Sequence, residues 1–384
     1  MILQTDLLKQ AADIYGTPLY VYDLPFIIKR ITSLKDLFFD LDFRIAYAMK
    51  ANFNRDLLKT LNNFGLMIDV VSYGEYLHAR SIGFAPDRII VNGNCKKVDQ
   101  LKTYVNNGVF SINLDSYEEL LRLEKIIDSQ TNISIRVNPD VDAKTHPHIS
   151  TGLKENKFGV DFDTAAAMIR RIEKNKYLKL IGFHCHIGSQ ITEIQPYLEA
   201  ITSLIDFIEK TGIEIEILNL GGGWGIDYGD GKFLDLNEYR NKILPLLKKT
   251  MKTVIFELGR WITAPAGYLI SKVEYVKKTR YKIFVVVDTG MTHLIRPALY
   301  GAKHKIIPLY PSNDRKMIVA DIVGPACESS DVLRKEYKLP EPAEGELITI
   351  CDVGAYGFAM ASEYNLIPKP IEVIWDGEKF IKSS

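Results

Sequence analysis

No run in this chain is long and apolar enough to span a bilayer, and neither sign of charge is in excess. Lysine plus arginine and aspartate plus glutamate number 48 each. No basic surplus is on offer to a nucleic-acid backbone or an anionic membrane, so neither partner is expected. Cysteine is scarce. Its four positions, Cys95, Cys185, Cys327 and Cys351, include no C-x-x-C pair and read as reduced thiols of a cytoplasmic protein. The opening "MILQTDLLKQAADIYG" is broken by Asp6, Lys9 and Asp13, which argues against a secretory signal. Low-complexity tracts and linkers are missing too. The 384 residues, 47% hydrophobic and 25% charged, suffice for two ordinary globular domains.

What is present is alternation. From about residue 40 to 260, eight β-rich runs ("FRIAYAM", "MIDVV", "RIIVN", "SINLD", "ISIRVN", "LIGFHCHI", "EIEILNL", "TVIFEL") are separated by stretches of helical spacing such as "NRDLLKTLNNFG" and "TAAAMIRRIEKN". Eight strand–helix repeats over that length predict an α/β barrel of the (β/α)8 type; an open doubly wound sheet usually has fewer strands. In the first run Phe43, Ile45, Tyr47 and Met49 share one face, to meet helices, and Arg44, Ala46, Ala48 and Lys50 the other, to fill the barrel. In the sixth, Ile181, Phe183 and Cys185 oppose Gly182, His184 and His186 by the same rule. After Pro265 the texture changes to strand-like runs with few helices, and "DGEK" is a good hairpin turn. The predicted division is a barrel over 25–265 and an all-β domain over 266–384, with segment 1–24, carrying the β-like "PLYVYD", packed on the latter. "KEYKLPEPAEGE" (335–346) is expected to be a surface loop.

Barrels of this kind carry their sites at the C-terminal ends of the strands. Unusual residues recur there: Lys50 after the first run, Asp69 and Glu75 around the end of the second, Arg136 in the fifth, and His186 and Ser189 after the sixth. "GGGWG" (221–225) follows the seventh, and "ELGR" (257–260) ends the eighth. Any one of these is ordinarily a cap or a barrel-filling group; six at one rim are hard to assign to packing. Three consecutive glycines after a strand leave backbone N–H groups open to an anion, though a tight turn needs glycine as well. A lysine facing such a mouth suits a Schiff base with pyridoxal phosphate, unless it is merely ion-paired to Asp69 or Glu75. Glu257 is placed to keep a pyridine nitrogen protonated, and His186 to stack on a ring. "HCH" (184–186) puts two imidazoles on one face, but no third ligand follows nearby, so no metal is expected.

Longer motifs then carry a resemblance. "YAMKAN", "DVVSYGE", "THPHISTGLKENKFG", "FHCHIGSQI", "LNLGGGWG", "ELGR", "IRPALYGAKHKI", "GPACESSDVL" and "GAYGFAMASEYNLIPKP" occur in the order found in the fold-type III pyridoxal-phosphate decarboxylases, within which the chain most resembles the diaminopimelate decarboxylases. The resemblance covers nearly the whole chain. It implies an alanine-racemase-like barrel and pyridoxal 5'-phosphate as cofactor. The implied reaction turns meso-2,6-diaminopimelate into L-lysine and carbon dioxide, the last step of lysine biosynthesis. By the same resemblance Lys50 forms the Schiff base, with Asp69 beside it; His186 stacks on the ring and Ser189 lies near the phosphate. Gly221, Gly222, Gly223, Gly259, Arg260 and Tyr356 also belong to the cofactor site, and Glu257 pairs with the pyridinium. Arg260, Arg296, Tyr300, Glu328 and Tyr356 are implied to bind substrate. Cys327, the implied proton donor, and Glu328 come from the second subunit of a homodimer in relatives. The family's usual Glu-Pro-Gly-Arg reads Glu-Leu-Gly-Arg here, with Leu258 for proline, and the N-terminus is short. A sister decarboxylase acting on carboxynorspermidine, ornithine or arginine is the rival within enzymes. A racemase would not need "CES". A pyridoxal-phosphate carrier would lack the second domain, and a regulatory pseudoenzyme would be expected to lose Lys50 or Cys327.

Overall fold

The computed structural model describes residues 3–142 and 157–383. Most of "THPHISTGLKENKFG" lies outside the described residues. Strand β1 (Leu19–Asp23) comes first in the chain but not in the barrel. The next eight strands close on themselves in parallel: β2 (Phe43–Ala48), β3 (Met67–Val70), β4 (Ile89–Val91), β5 (Ser111–Leu114), β6 (Thr131–Arg136), β7 (Leu178–His184), β8 (Ile217–Asn219) and β9 (Thr253–Leu258). Closure is made by β9 against β2, with Ala46 opposite Glu257 and Tyr47 opposite Leu258.

The intervening helices start where local chemistry supplies their first acceptors. Asn54 accepts from the N–H groups of Asp56 and Leu57, Ser72 from Glu75, and Ser116 from Glu119. Glu75 turns back to accept from the Val71 N–H at 2.7 Å. It therefore holds its own turn closed instead of serving as the partner of Lys50.

Inside the barrel a small apolar plug of Ala46, Met67, Ile90, Ile217 and Ile255 is completed by Ile181. That last residue departs from the simple alternation, which put it on the helix side with Phe183 and Cys185. The register between β6 and β7 shifts between Ile133 and Ser134, so that Leu180 pairs with Ile133 and Gly182 with Ser134. The bulge leaves Ile181 unpaired and re-aims it, while Phe183 and Cys185 remain in the outer core.

The remaining strands build a second, nine-stranded sheet: β10 (Gly267–Lys278), β11 (Ile283–Val287), β12 (Ile306–Pro308), β13 (Met317–Val323), β14 (Val332–Pro340), β15 (Leu347–Cys351), β16 (Ile371–Trp375) and β17 (Phe380–Lys382), joined by β1. Strand β1 lies between β10, antiparallel, and β16, parallel. All five of its residues are buried. The expected loop over 335–346 is a strand for its first half. Leu333 and Leu339 are buried while Lys335, Glu336 and Lys338 are exposed. The charges that suggested a loop are those of a bulged edge strand, which lysine and glutamate protect from further pairing.

One position tests the barrel's tightness directly. A Cβ on Gly182 would lie 2.2 Å from the Ile217 carbonyl oxygen on β8. Gly182→Ala is expected to cost about 1–3 kcal/mol in denaturant melts, the usual price of overpacking. An unchanged midpoint would show that β7 and β8 are not in close approach there.

Candidate active site

Lys50 follows β2 in a single 3-10 turn, Met49–Ala51, at the C-terminal end of the barrel. It opens into a cavity of about 410 Å³ whose walls also carry Asn92, Arg136, His184, His186, Ser189, Gly223, Glu257, Gly259, Arg260, Arg296, Tyr300 and Tyr356. Barrel strands and the loops of the second sheet contribute to one chamber. Ten of the site residues named from the sequence, with Arg136 beside them, thus line a single space. Asp69 sits just beneath it, 1% exposed, with Oδ2 at 4.0 Å from Lys50 Nζ.

At one end the charge is negative. Glu257 Oε1 accepts from Asn92 Nδ2 at 2.8 Å and Asn219 Nδ2 at 2.7 Å, and Oε2 lies 3.0 Å from His184 Nε2. Burial works to raise this carboxyl, but His184, Asn219 and Lys50 outweigh it and hold it well below the usual range. Asp69 fares differently. Its Oδ1 accepts from Asn92 at 2.7 Å and its Oδ2 has no hydrogen-bond partner. Burial, then the charge on Glu257, pushes it up to about 7. For the Lys50 ammonium, desolvation is outweighed by Asp69, Tyr356 and Glu257, so its pKa is raised.

His186 forms one wall. Its Nδ1 accepts from the Gly222 N–H at 3.2 Å, and burial, Lys50 and Arg136 push its pKa well down, so the ring is neutral. The Gly221 N–H donates to Asn219 Oδ1 at 3.0 Å. Two of the three glycine amides are therefore engaged within the protein, and only Gly223 reaches the cavity wall. Glycine is required here for another reason: a Cβ on Gly222 would lie 2.0 Å from the Glu257 carbonyl oxygen, and one on Gly223 2.2 Å from that of Gly188.

At the other end the charge is positive. Arg260 donates to Ser189 Oγ at 2.9 Å and to Tyr228 Oη at 2.6 Å, and Arg296 donates to the same phenol at 2.8 Å. Tyr356, at φ 57°, stacks its ring 4.9 Å from the Arg260 guanidinium carbon. Among the described residues neither arginine has a carboxylate partner, and the Nε of each is buried without an acceptor. Cys327 and Glu328 are exposed and lie outside this cavity. The Cys327 N–H donates to Asn365, and Glu328 accepts from Tyr364 at 2.7 Å.

A chamber with an amine, a buried carboxylate at one pole and unpaired guanidinium groups at the other fits a small molecule bearing an aldehyde, a ring nitrogen and an anionic arm. The comparisons with known proteins agree. Residues 25–264 match the family described as pyridoxal-dependent decarboxylase, pyridoxal binding domain. The chain belongs to the pyridoxal-dependent decarboxylases. Within that family it is 41% identical to the diaminopimelate decarboxylase of Aquifex aeolicus, over 96% of this chain and 88% of that protein. It is 40% identical to that of Helicobacter pylori, over 95% and 92% respectively. The crystal structure of diaminopimelate decarboxylase from Helicobacter pylori complexed with L-lysine superposes with a TM-score of 0.93 at 37% identity, covering 98% of this chain and 97% of that one. A lysine/ornithine decarboxylase from Vibrio vulnificus, 21% identical with a TM-score of 0.85 over 98% and 99% of the two chains, shares the fold.

Sequence reasoning missed four residues of this pyridoxal-dependent decarboxylase site. Asn92 and Asn219 close apolar runs just as Lys50 does, so the same signal was available but amides were not weighed. His184 stands out in the sequence as a barrel-filling residue and as half of a metal pair, with nothing local to tie it to Glu257. Tyr228, in "GIDYGDG", carries no local signal; its place depends on two arginines brought from distant segments.

The proton on Asp69 gives a pH test. Between about pH 4 and 7 the folded, cofactor-free protein holds a proton that the unfolded chain has released, so this carboxyl costs more stability as pH rises through that window. Asp69→Asn is expected to gain on the parent progressively from pH 4 to 7.5 in urea melts and to match it near pH 4. A difference independent of pH would mean that this carboxyl is not raised.

Proposed function

We propose that this chain decarboxylates meso-2,6-diaminopimelate to L-lysine with pyridoxal 5'-phosphate, as an enzyme of the cytoplasm. The observation that carries the reading is the pair of buried arginines that have no carboxylate partner among the described residues and line one cavity with Lys50 and Glu257. The cofactor supplies a carbonyl for amine exchange and an electron sink for the pair left by departing carbon dioxide. This chain's residues do the rest. Lys50 supplies the amine, held in place by Asp69. Glu257, kept ionised by its three donors, would accept a hydrogen bond from the protonated ring nitrogen and so keep that proton on the ring, where it deepens the sink. His186 is a flat, neutral wall for the ring. Gly223, Gly259, Ser189, Arg260 and Tyr356 would hold the anionic arm, while Gly221 and Gly222 shape the turn beneath. The Helicobacter pylori diaminopimelate decarboxylase crystal holds L-lysine, which fits a product of this kind.

Arg296, with Tyr300 and Arg260, receives the carboxylate at the far end of the substrate. Ornithine or arginine, lacking it, would leave a buried guanidinium unpaired at a cost of about 1–3 kcal/mol or more. Glu328 suits the distal ammonium and Cys327 the proton returned to carbon, but both are exposed in the single chain, hydrogen-bonded to Tyr364 and Asn365. A second copy of the chain carrying this loop to the cavity completes the site, so the enzyme is a homodimer with shared active sites.

Purified protein with cofactor should release carbon dioxide and lysine from meso-diaminopimelate, and Arg296→Ala should raise KM or lower turnover sharply with cofactor still bound. Failure to turn over this substrate while decarboxylating ornithine or arginine would overturn the substrate assignment. Sharing is tested by mixing. Lys50→Ala and Cys327→Ala, each inactive alone, should regain about a quarter of parental activity after subunit exchange, since half the dimers are mixed and each holds one intact site. No regain would place Cys327 in its own chain's site or outside catalysis.

A further inference from the structure

Behind the basic end of the cavity, against Arg296, lies a histidine that the function proposed above leaves without a role. Arg296 is 5% exposed and opens a short helix, Arg296–Tyr300. Its Nη1 directs one hydrogen to Tyr228 Oη at 2.8 Å and the other to His304 Nε2 at 3.1 Å. The tautomer of His304 is decided by its other nitrogen. Nδ1 lies 2.9 Å from the Cys351 carbonyl oxygen, which can only accept. Nδ1 therefore carries the proton and Nε2 offers a lone pair to the guanidinium. Burial, then Arg296, pushes the imidazole down to about 3, so it is neutral at any working pH. Its ring meets Tyr228 edge-on, with centroids 5.1 Å apart.

A buried guanidinium is ordinarily paired with a carboxylate. Arg136, buried on the same cavity wall, follows that rule and lies 3.4 Å from Asp115. Arg296 does not. The acidic group Asp352 acts on it only at longer range and makes no ion pair with it. A carboxylate at position 304 would orient the guanidinium equally well, but it would also cancel the charge and compete with a ligand. A neutral acceptor orients without cancelling.

We propose that His304 is a positioning residue for anion recognition: it fixes the Nη1 edge of Arg296 through a neutral lone pair and leaves the guanidinium charge for the distal carboxylate of an amino dicarboxylate substrate. The inference rests on Arg296 being the receiver of that carboxylate. Its ordinary alternative is a buried histidine that only fills space, and the two differ in what they do to ligand binding.

The test uses holoenzyme of the parent and of His304→Gln, His304→Leu and His304→Glu. Glutamine can reproduce both bonds, a donor to Cys351 and an acceptor for Arg296; leucine reproduces neither; glutamate adds a charge. Readouts are KM and kcat for meso-diaminopimelate, the dissociation constant of the seven-carbon dicarboxylate pimelate, the absorbance of bound cofactor, and thermal melting. His304→Glu is expected to raise KM and weaken pimelate binding by about tenfold or more with kcat within about threefold and cofactor retained, the pattern of lost uniform binding. His304→Leu should move both constants in the same direction, and His304→Gln should restore them. Should the glutamate variant fail to fold, the leucine–glutamine comparison decides. Unmoved KM and pimelate affinity, a change in kcat alone, or equal behaviour of leucine and glutamine would overturn the proposal. If the parent does not decarboxylate diaminopimelate yet pimelate binding still follows His304, the proposed function falls and this inference stands.

Discussion

A carboxylate sealed in the mouth of a barrel costs several kcal/mol in lost hydration, and it stays ionised only if its surroundings return that much. Glu257 shows how the return is made. Two asparagine amides and one imidazole converge on its two oxygens within 3.0 Å. At about 1.5–3 kcal/mol for each hydrogen bond to a charged group, three such bonds match the loss. Those donors come from β7, β8 and the end of β4, so the charge on Glu257 depends on the closed barrel. An open sheet would bring the flanking strands to it but not the strands across the mouth.

The neighbouring carboxyl makes the same point by contrast. Asp69 shares Asn92 with Glu257, but this is its one donor, and its second oxygen is bare. Two like charges bridged by a single amide cannot both be cheap to ionise. The one with three donors stays charged and the one with a single donor takes the proton. Asn92 can serve both because Asn113 donates to its oxygen at 2.8 Å, which turns both of its N–H bonds towards the carboxyls. The division of charge around Lys50 is therefore set three residues away from it.

The periodic part of this architecture was legible in the sequence. Eight apolar runs alternate with helical spacing because each strand must be covered by a helix before the next can pair, and that constraint is written locally. Lys50 stood out because a charge ended such a run. What escaped is what needs two segments at once. Ile181 changes face because β6 and β7 slip by one residue, a property of the pair and not of either strand. Residues 335–340 look like a loop by charge and are a strand by pairing. Asn92 and Asn219 look like turn formers until Glu257 is placed between them. The glycines at 221 and 222 suggested bare amides, but those amides are occupied by His186 and Asn219, and the lack of a Cβ serves close backbone approach.

The two poles of the cavity obey one rule applied with opposite signs. A binding site has to keep its charge from being satisfied internally, yet an unsatisfied buried charge destabilises the fold. At Glu257 the protein uses two amides and an imidazole, whose hydrogen bonds replace the carboxylate's lost hydration. At Arg296 it uses neutral acceptors, a phenol and an imidazole, to the same end. Arg136, on the same cavity wall, is held differently, by a full ion pair with Asp115. Among the described residues, polarity without a carboxylate is thus what Arg260 and Arg296 share at the basic end of the chamber, and what sets them apart from Arg136.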